Sequence, residues 1–361
     1  MRPTTKDLAK AAGVSLATVD RVLNKRPGVR KKTVEAVKKA IEEIGFVRNL
    51  SAANLAKSRQ YRFRFLLPRR GDLFIAELRD RIFETNIGLA AEGMEITHQE
   101  ISQVDPHLIA QTLLKIRRDE VDGIALMAPE SPQVRDAAIR LQEKGVHVVH
   151  LISGQQKLSD MDFVGIDNHA AGATAARLIG RFVCGLQGKV MVVSETMNAR
   201  DSLERRRGFD QVLTRDYPNL TALPSLETHG DEARAYEIIS NMINNSPDIV
   251  AAYVMSSEAR LPLNAVARQT DPQTLTVIAH ELTDRTRKAL VSGEVDAVIA
   301  QDSGHLVRSS VRLLRARCDK REIMRSQEQI RIEILIQENL LPAQCALRSN
   351  DHGSVANSFD D

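Results

Sequence analysis

The stretch AKAAGVSLATVDRVLN, residues 9–24, decides the fold of the first part of the chain. It holds two short helical patterns that meet at Gly13, where the absence of a Cβ allows a backbone turn. Ser15 is a good N-cap for the second helix, because its hydroxyl can accept from a free main-chain amide. Apolar residues recur at helical spacing on both sides of the turn, at Leu8, Ala9 and Ala12 and again at Val19, Val22 and Leu23. Two helices joined by a tight turn predict a helix-turn-helix, whose second helix can enter the major groove of DNA.

The helix-turn-helix belongs to a small helical domain that we expect at residues 1–47. The expected helices span residues 4–12 (capped by Thr4 or Thr5), 15–24 and 31–43. Gly45 is the expected C-terminal cap of the third helix. Residues 48–60 form a short, alanine-rich linker, and a helix of this length is marginal in water unless it docks on a partner.

Charge separates this N-terminal piece from the rest of the chain. The net charge of the whole chain is +3, with 50 Lys and Arg against 47 Asp and Glu, but residues 1–60 carry 14 of the basic and 5 of the acidic residues. A basic module on an acidic body is typical of a protein that binds a polyanion. A Lys-rich solvated helix surface is the simpler alternative.

The cysteines and the hydropathy argue against several classes of protein. Cys184, Cys318 and Cys345 are far apart and form no CxxC pair, which argues against a disulfide framework or a zinc site. We therefore expect neither metal nor cofactor. The first residues have no apolar core of a signal peptide, and no apolar run approaches the ~18 residues of a membrane span. These features predict a cytoplasmic protein.

From Tyr61 onward, strand-like and helical patterns alternate, which predicts parallel sheets with crossover helices. The expected strands are 63–68, 94–99, 121–127, 146–152, 163–166, 189–194, 249–255, 275–280, 295–301 and 329–336. The expected helices include 76–91, 106–116, 170–183, 202–213, 233–242 and 303–317. So many strands predict two sub-domains, one of residues 61–160 plus 300–320 and one of 161–299 plus 321–340. The polar tail, 341–361, is expected to be disordered.

Polar residues follow nearly every predicted strand. Ligands of open parallel sheets bind beyond the carboxyl ends of the strands, and a buried hydroxyl-rich molecule needs such donors and acceptors. Arg205, expected near the start of its helix, could make bidentate hydrogen bonds to a hydroxyl pair or to a carboxylate. The alternative is that loops after strands are polar in any protein. The candidate ligand-binding residues are Arg70, Asp72, Phe74, Pro129, Glu130, Ser153, Asp167, Asn168, Arg205, Ser256, Ser257, Glu281 and Gln301.

Several motifs resemble the LacI/GalR family of bacterial transcription regulators. AGVSLATVDRVLN, residues 12–24, is similar to the family's AGVSxxTVSRVLN signature. Further similarities lie at Thr33, Val37 and Gly45-Phe46, at Asn49, Ala52 and Leu55, in VGIDNHAAG (164–172), in Arg205-x-x-Gly208-Phe209 and at Gln301-Asp302. The resemblance implies a helical DNA-binding domain followed by a two-sub-domain, type I periplasmic-binding-protein-like α/β domain with doubly wound parallel sheets.

The chain departs from the family pattern at positions that bear on specificity. Asp20 stands where the family has Ser, and a carboxylate there can accept from a cytosine amine but repels phosphate. Arg48 replaces the Pro that precedes the hinge Asn. Glu281 replaces an Asp, and YVMSSEAR (253–260) lacks the usual Asn-Asp pair. The effector therefore cannot be copied from a well-known member.

The resemblance implies how the chain contacts DNA. Leu16 and Ala17 would face base edges, and Arg21 and Asn24 are the expected polar base contacts. Leu55 would wedge between base pairs and kink the site. A two-fold dimer would read a pseudo-palindromic operator. The full set of expected DNA-binding residues is Thr5, Ser15, Leu16, Ala17, Thr18, Asp20, Arg21, Asn24, Arg30, Lys31, Thr33, Asn49, Ala52 and Leu55.

The same resemblance implies a repressor controlled by a small sugar- or polyol-like effector bound between the sub-domains. Two alternatives compete with it. A sugar-binding protein of a transporter would share the body, but the missing signal peptide and the basic N-terminal module argue against export. An enzyme on a doubly wound sheet would use carboxylates such as Glu130 or Asp167, but the sequence has no GxGxxG, P-loop or GxSxG motif.

Overall fold

A computed structural model describes residues 3–23, 26–46, 60–69, 73–102, 105–154, 162–257, 259–269 and 274–340. The chain divides into two compact units, Met1–Gln60 and Tyr61–Asp361. Across these described ranges, no helix is long and apolar enough to cross a membrane. The same ranges contain no group of three His, Cys, Asp or Glu side chains arranged to hold a metal ion.

The first unit is built from three helices around a small apolar core. They are α1 (Thr5–Ala11), α2 (Leu16–Leu23) and α3 (Lys31–Glu43), as the apolar spacing predicts. The Thr4 side chain caps α1 in a capping box with Asp7, so Thr4 and not Thr5 is the cap. Ser15 Oγ accepts from the Thr18 N–H at 3.2 Å, which confirms Ser15 as the N-cap of α2. The core includes Leu8, Val19 and Val37.

The second unit begins with a five-stranded parallel sheet in the order β2-β1-β3-β4-β5. The strands are β1 (Tyr61–Pro68), β2 (Met94–Ile101), β3 (Gly123–Leu126), β4 (His147–Leu151) and β5 (Asp162–Val164). The helices are α4 (Leu73–Leu89, followed by a 3₁₀ turn at Ala90–Glu92), α5 (Pro106–Lys115), α6 (Pro132–Glu143) and α12 (Ser303–Asp319). Apolar side chains of α4 and α12 pack on one face of the sheet and those of α5 and α6 on the other. We call this layered structure the first lobe.

A six-stranded sheet in the order β11-β10-β9-β8-β6-β7 forms the second lobe. Its strands are β6 (Gly188–Ser194), β7 (Leu220–Glu227), β8 (Ile249–Val254), β9 (Thr276–His280), β10 (Ala297–Ala300) and β11 (Glu333–Leu335). The helices are α7 (Asn168–Phe182), α8 (Arg200–Asp216), α9 (Glu232–Asn245), α10 (Arg260–Ala267), α11 (Asp284–Ser292) and α13 (Arg325–Glu328), with a 3₁₀ turn at Gln337–Asn339. α7 and α8 cover one face and α9, α10 and α11 the other. The alternating αβ pattern thus correctly predicts a doubly wound body.

The structure corrects the predicted elements in three places. β7 is missing from the sequence prediction, because it is a half-buried edge strand interrupted by Pro224. β11 is shorter than the predicted 329–336 and antiparallel to β10. The sub-domain boundary expected after residue 160 is displaced, because β5 pairs with β4 and extends the first lobe's sheet to Val164.

Candidate effector site and candidate DNA-binding surface

A group of buried polar side chains surrounds Arg205 at the carboxyl ends of the second lobe's strands. The Arg205 Nε donates to Asn168 Oδ1 at 2.9 Å, and Nη1 donates to the main-chain oxygen of Met255 at 2.6 Å. Nη2 lies 3.6 Å from Glu281 Oε1, which also accepts from Gln301 Nε2 at 2.8 Å. We call Asn168, Arg205, Glu281 and Gln301 the Arg205 cluster. It ties α7 and α8 to the ends of β8, β9 and β10.

The Arg205 cluster contains a fully buried ion pair, Arg205 and Glu281, whose charges neutralise each other. Arg205 and Glu281 are each 1% exposed, so neither charge is solvated by water. Such a pair is tolerated only when further hydrogen bonds support it; here Asn168 and Met255 accept from Arg205, and Gln301 donates to Glu281 Oε1. Gln301 Oε1 is buried without a hydrogen-bond partner among the described residues, which leaves an acceptor for a ligand donor.

Two glycines allow α7 and α8 to approach closely enough to form this cluster. A Cβ at Gly172 would lie 1.8 Å from the Arg205 main-chain oxygen, and one at Gly208 would lie 1.9 Å from the His169 main-chain oxygen. The contact of the two helix backbones places Arg205 beside Asn168. Arg205 lies inside α8, which starts at Arg200, and not at the helix start that the sequence predicts.

The backbone of Glu281 is held in an uncommon conformation. Its φ is +61°, which lies in the left-handed region that residues other than glycine rarely adopt. The Glu281 N–H donates to the Ile299 oxygen at 2.9 Å, and the Thr286 hydroxyl donates to the Glu281 oxygen at 2.7 Å. These bonds hold the carboxylate toward Arg205. Backbone strain of this kind often occurs at binding sites.

An aromatic layer lies beside the Arg205 cluster. The Tyr253 hydroxyl and His280 Nε2 are 2.8 Å apart, and Phe209 stacks on Tyr253 with ring centroids separated by 4.7 Å. Burial, reinforced by the nearby Arg205 charge, lowers the pKa of His280 well below its ordinary value. Burial also raises the pKa of Tyr253. Both rings are therefore neutral, so the cluster's charge balance depends on Arg205 and Glu281.

Ser153 extends the polar lining into the first lobe. It follows β4 through a γ-turn in which the Ser153 N–H donates to the Leu151 oxygen at 2.6 Å and Ile152 has a φ of +64°. The Ser153 hydroxyl oxygen is buried and has no hydrogen-bond partner in the described part of the chain. Asn168 Nδ2 reaches back to the Ile152 oxygen at 3.5 Å. Ser153 therefore lies at the junction of the two lobes.

The other predicted effector residues have different surroundings. Glu130 Oε2 lies 3.5 Å from Nη1 of Arg200 in the second lobe, so this ion pair links the lobes. Asp167 is exposed and caps α7 by accepting from the Ala170 N–H at 2.9 Å. Phe74 packs in the apolar core. Pro129 and Ser257 are half-buried and Ser256 is buried. Arg70 and Asp72 lie outside the described residues.

The exposed face of α2 carries the predicted base contacts. Leu16 is 47% exposed, and Ala17 and Arg21 are exposed as well. Ser15 and Thr18 are engaged with each other, with hydroxyl oxygens 2.9 Å apart. The other predicted DNA-binding residues around α1 and α3 are exposed or half-buried: Thr5, Arg30, Lys31 and Thr33. Asn24, Asn49, Ala52 and Leu55 lie outside the described residues.

Sequence reasoning missed several residues that build these sites. The Asp20 carboxylate accepts from Arg26 Nη1 at 3.2 Å, although Arg26 was absent from the expected contacts. Tyr253 lies inside an apolar strand pattern and carries no sequence signal. Gly172 and Gly208 both belong to short motifs that resemble the family, and the sequence offers no other signal for them.

Comparisons with known proteins agree with both units. Residues 4–49 match the family model described as "Bacterial regulatory proteins, lacI family". Residues 84–322 match the model of a periplasmic binding protein domain. These matches account for the helical first unit and for most of the two-lobed body.

Named relatives are transcriptional regulators. The chain is 29% identical to the HTH-type transcriptional regulator DegA of Bacillus subtilis over 178 residues, which is 49% of this chain and 51% of DegA. It is 28% identical to the maltose regulon regulatory protein MalI of Escherichia coli over 250 residues, 69% of this chain and 70% of MalI. The match thus spans about half the length of DegA.

Solved structures with the same body fold include sugar-binding proteins. GanP, a glucose-galactose binding protein from Geobacillus stearothermophilus, superposes with a TM-score of 0.68 at 18% identity, covering 78% of this chain and 99% of GanP. A solute binding protein from Burkholderia graminis, in complex with D-arabinose, superposes with a TM-score of 0.68 at 20% identity. The superposition covers 78% of this chain and 97% of that protein. From its two family matches, the chain belongs to the lacI family of bacterial regulatory proteins, with a periplasmic-binding-protein domain as its body.

Proposed function

We propose that the chain is a DNA-binding transcriptional repressor whose operator affinity is controlled by an uncharged sugar or polyol. The observation that carries the proposal is the Arg205 cluster: a buried, self-neutralised polar site in a chain that begins with a helix-turn-helix. Relatives named as transcriptional regulators support the DNA-binding role. Since its target is chromosomal DNA, we place the protein at the nucleoid in the cytoplasm.

The charge balance of the Arg205 cluster supports an uncharged effector. An anionic ligand would have to displace Glu281 from Arg205 and leave a buried carboxylate uncompensated, which costs about 3–5 kcal/mol. Hydroxyl groups instead can bond to Gln301 Oε1 and Ser153 Oγ without adding charge. The sugars named for the proteins of similar fold, glucose, galactose and arabinose, are ligands of this type.

The position of the cluster supports control of DNA binding through the angle between lobes. Ser153 belongs to the first lobe, and Arg205, Glu281 and Gln301 belong to the second. Asn168 contacts both lobes. A ligand that prefers one angle between the lobes shifts the population toward it. A coupling of about 1–3 kcal/mol changes operator affinity about 5- to 150-fold.

An apolar pair on α4 supports a homodimer, which would read a pseudo-palindromic operator. Phe83 and Ile87 are four residues apart on one helix face and are 65% and 62% exposed. Apolar side chains of this size gain free energy when a second subunit covers them. We expect Phe83→Lys to lower the molar mass of the protein in solution, measured by light scattering, from a dimer to a monomer. A dimer that persists unchanged would contradict this assignment of the surface.

The test of the proposed function measures DNA binding and its response to sugars with one preparation. Full-length protein selects its operator from random duplex DNA, and fluorescence anisotropy then follows the complex during titration with neutral sugars and polyols. Arg21→Ala should abolish operator binding. Lys38→Ala, which removes one positive charge from an exposed position of α3, should leave operator binding intact. Failure to enrich any sequence would refute the DNA-binding role. An operator affinity that no sugar or polyol changes would refute the effector role.

A further inference from the structure

Asp20 is an acidic residue on the helix face that is proposed to meet DNA. It lies four residues after Leu16 on α2, and residues with this spacing share one helix face. Its side chain is 47% exposed, and its neighbour Arg21 is exposed too. Val19, the residue before Asp20, lies about 100° away around the helix axis and is buried in the core. A lone carboxylate on this face would be repelled by the phosphates that line the groove.

Arg26 offsets that repulsion. Its Nη1 donates to Asp20 Oδ2 at 3.2 Å, and its main-chain N–H donates to the Arg21 oxygen at 2.9 Å. The main-chain bond ties Arg26 to the end of α2, where its side chain can reach back to Asp20. The pair has no net charge, and a carboxylate can accept about four hydrogen bonds, which is more than the one that Arg26 Nη1 donates.

A carboxylate that keeps its acceptor capacity can distinguish base pairs. In the major groove the donors are the N4 amine of cytosine and the N6 amine of adenine. The adenine amine lies between the adenine N7 and thymine O4 acceptors, which repel a carboxylate, whereas the cytosine amine has an acceptor on one side only. Thymine presents O4 and a methyl group and offers no donor at all.

We propose that Asp20, neutralised by Arg26, is a specificity-determining residue that selects cytosine at one position of each operator half-site. The inference rests on the proposed DNA-binding function. Arg26 acts as a positioning residue, because it serves the carboxylate and does not itself contact the base.

The test compares the sequences that full-length variants enrich from random duplex DNA. Wild-type protein should enrich a half-site with one position restricted to cytosine, and replacing that base by thymine should weaken binding about 5- to 150-fold. Asp20→Asn should change the preference at that position to adenine, because Asn can bond to adenine N6 and N7. Glu35→Gln, which removes an exposed carboxylate from α3, should enrich the wild-type sequence.

Arg26→Ala tests the pairing. Because Arg26 is assigned to Asp20 and not to phosphate, the variant should bind all sequences more weakly without changing the slope of log affinity against log salt. Adding Asp20→Asn should restore much of the affinity, since the negative charge that Arg26 balances is then removed as well. A slope shallower by about 2 per dimer would assign Arg26 to phosphate and overturn the pairing.

The outcomes separate this inference from the function on which it rests. If wild-type protein enriches no sequence, the DNA-binding proposal fails and the role of Asp20 fails with it. If wild-type protein enriches an operator and Asp20→Asn enriches the same base at every position, only the role of Asp20 is refuted.

Discussion

Adding a methyl group at Gly208 is expected to separate α7 from α8 and dismantle the Arg205 cluster. The new Cβ would lie 1.9 Å from the main-chain oxygen of His169, whereas ordinary contact begins at 3.4 Å. The obstacle is backbone and cannot rotate away, so the helices must separate by about 1.5 Å. The 2.9 Å bond between Arg205 and Asn168 cannot survive such a movement.

The cost of Gly208→Ala has two parts. Overpacking costs about 1–3 kcal/mol, and loss of a buried hydrogen bond to a charged group costs about 1.5–3 kcal/mol more. At ~2 °C per kcal/mol for a large domain, the midpoint of thermal unfolding should fall by roughly 5–12 °C. Calorimetry measures this shift, and titration of the variant with sugars should show no binding.

Gly88→Ala is the matched control. A Cβ at Gly88 meets nothing within 4 Å, and the residue lies in helix α4. Replacing a helical glycine there should stabilise the protein by about 0.5–1 kcal/mol. If Gly208→Ala melts within a degree of wild type and keeps its response to effector, the argument that helix contact builds the site is wrong.

Three further predictions concern buried or half-buried ionisable side chains. Glu281→Gln leaves the Arg205 guanidinium without its carboxylate and should lower the free energy of unfolding by about 3–5 kcal/mol. The double variant, with Met at positions 205 and 281, should recover most of that loss. Denaturant titration measures the free energy of unfolding of both variants. Burial lowers the pKa of His150 to about 4, so stability should fall as pH drops from 6.5 toward 4, by about 1.4 kcal/mol per unit. In melts across this range, His150→Gln should flatten the profile and the exposed control His98→Gln should not. Burial raises the pKa of Glu77 above its ordinary 4.5, so its ionisation opposes folding at neutral pH; Glu77→Gln should raise the melting temperature at pH 7, and this gain should vanish as pH falls toward 4.5. An equal gain at both pH values would contradict that reasoning.

Much of the fold could be read from local patterns. The apolar spacing and Ser15 predict α2 and its cap, because helix formation depends on neighbours three and four residues away. The alternation of strands and helices predicts the parallel sheets, because each element shows its own local apolar periodicity and parallel strands need crossover helices. β7 was missed because an edge strand with a proline shows neither continuous apolar character nor regular alternation. The short antiparallel β11 is defined by its pairing with β10, which leaves no local signal.

The sequence by itself determined the helix-turn-helix, the basic first unit and the polar residues after the strands, since these follow from local spacing and composition. Only the tertiary structure decided which polar residues meet. Arg205 and Glu281 are 76 positions apart in the numbering and become an ion pair because β9 ends and α8 begins at the same edge of the second lobe's sheet. The close approach of α7 and α8 at Gly172 and Gly208 brings Asn168 to the same place. Likewise, the distance from Arg26 to Asp20 depends on how the chain turns after α2, which spacing alone does not specify.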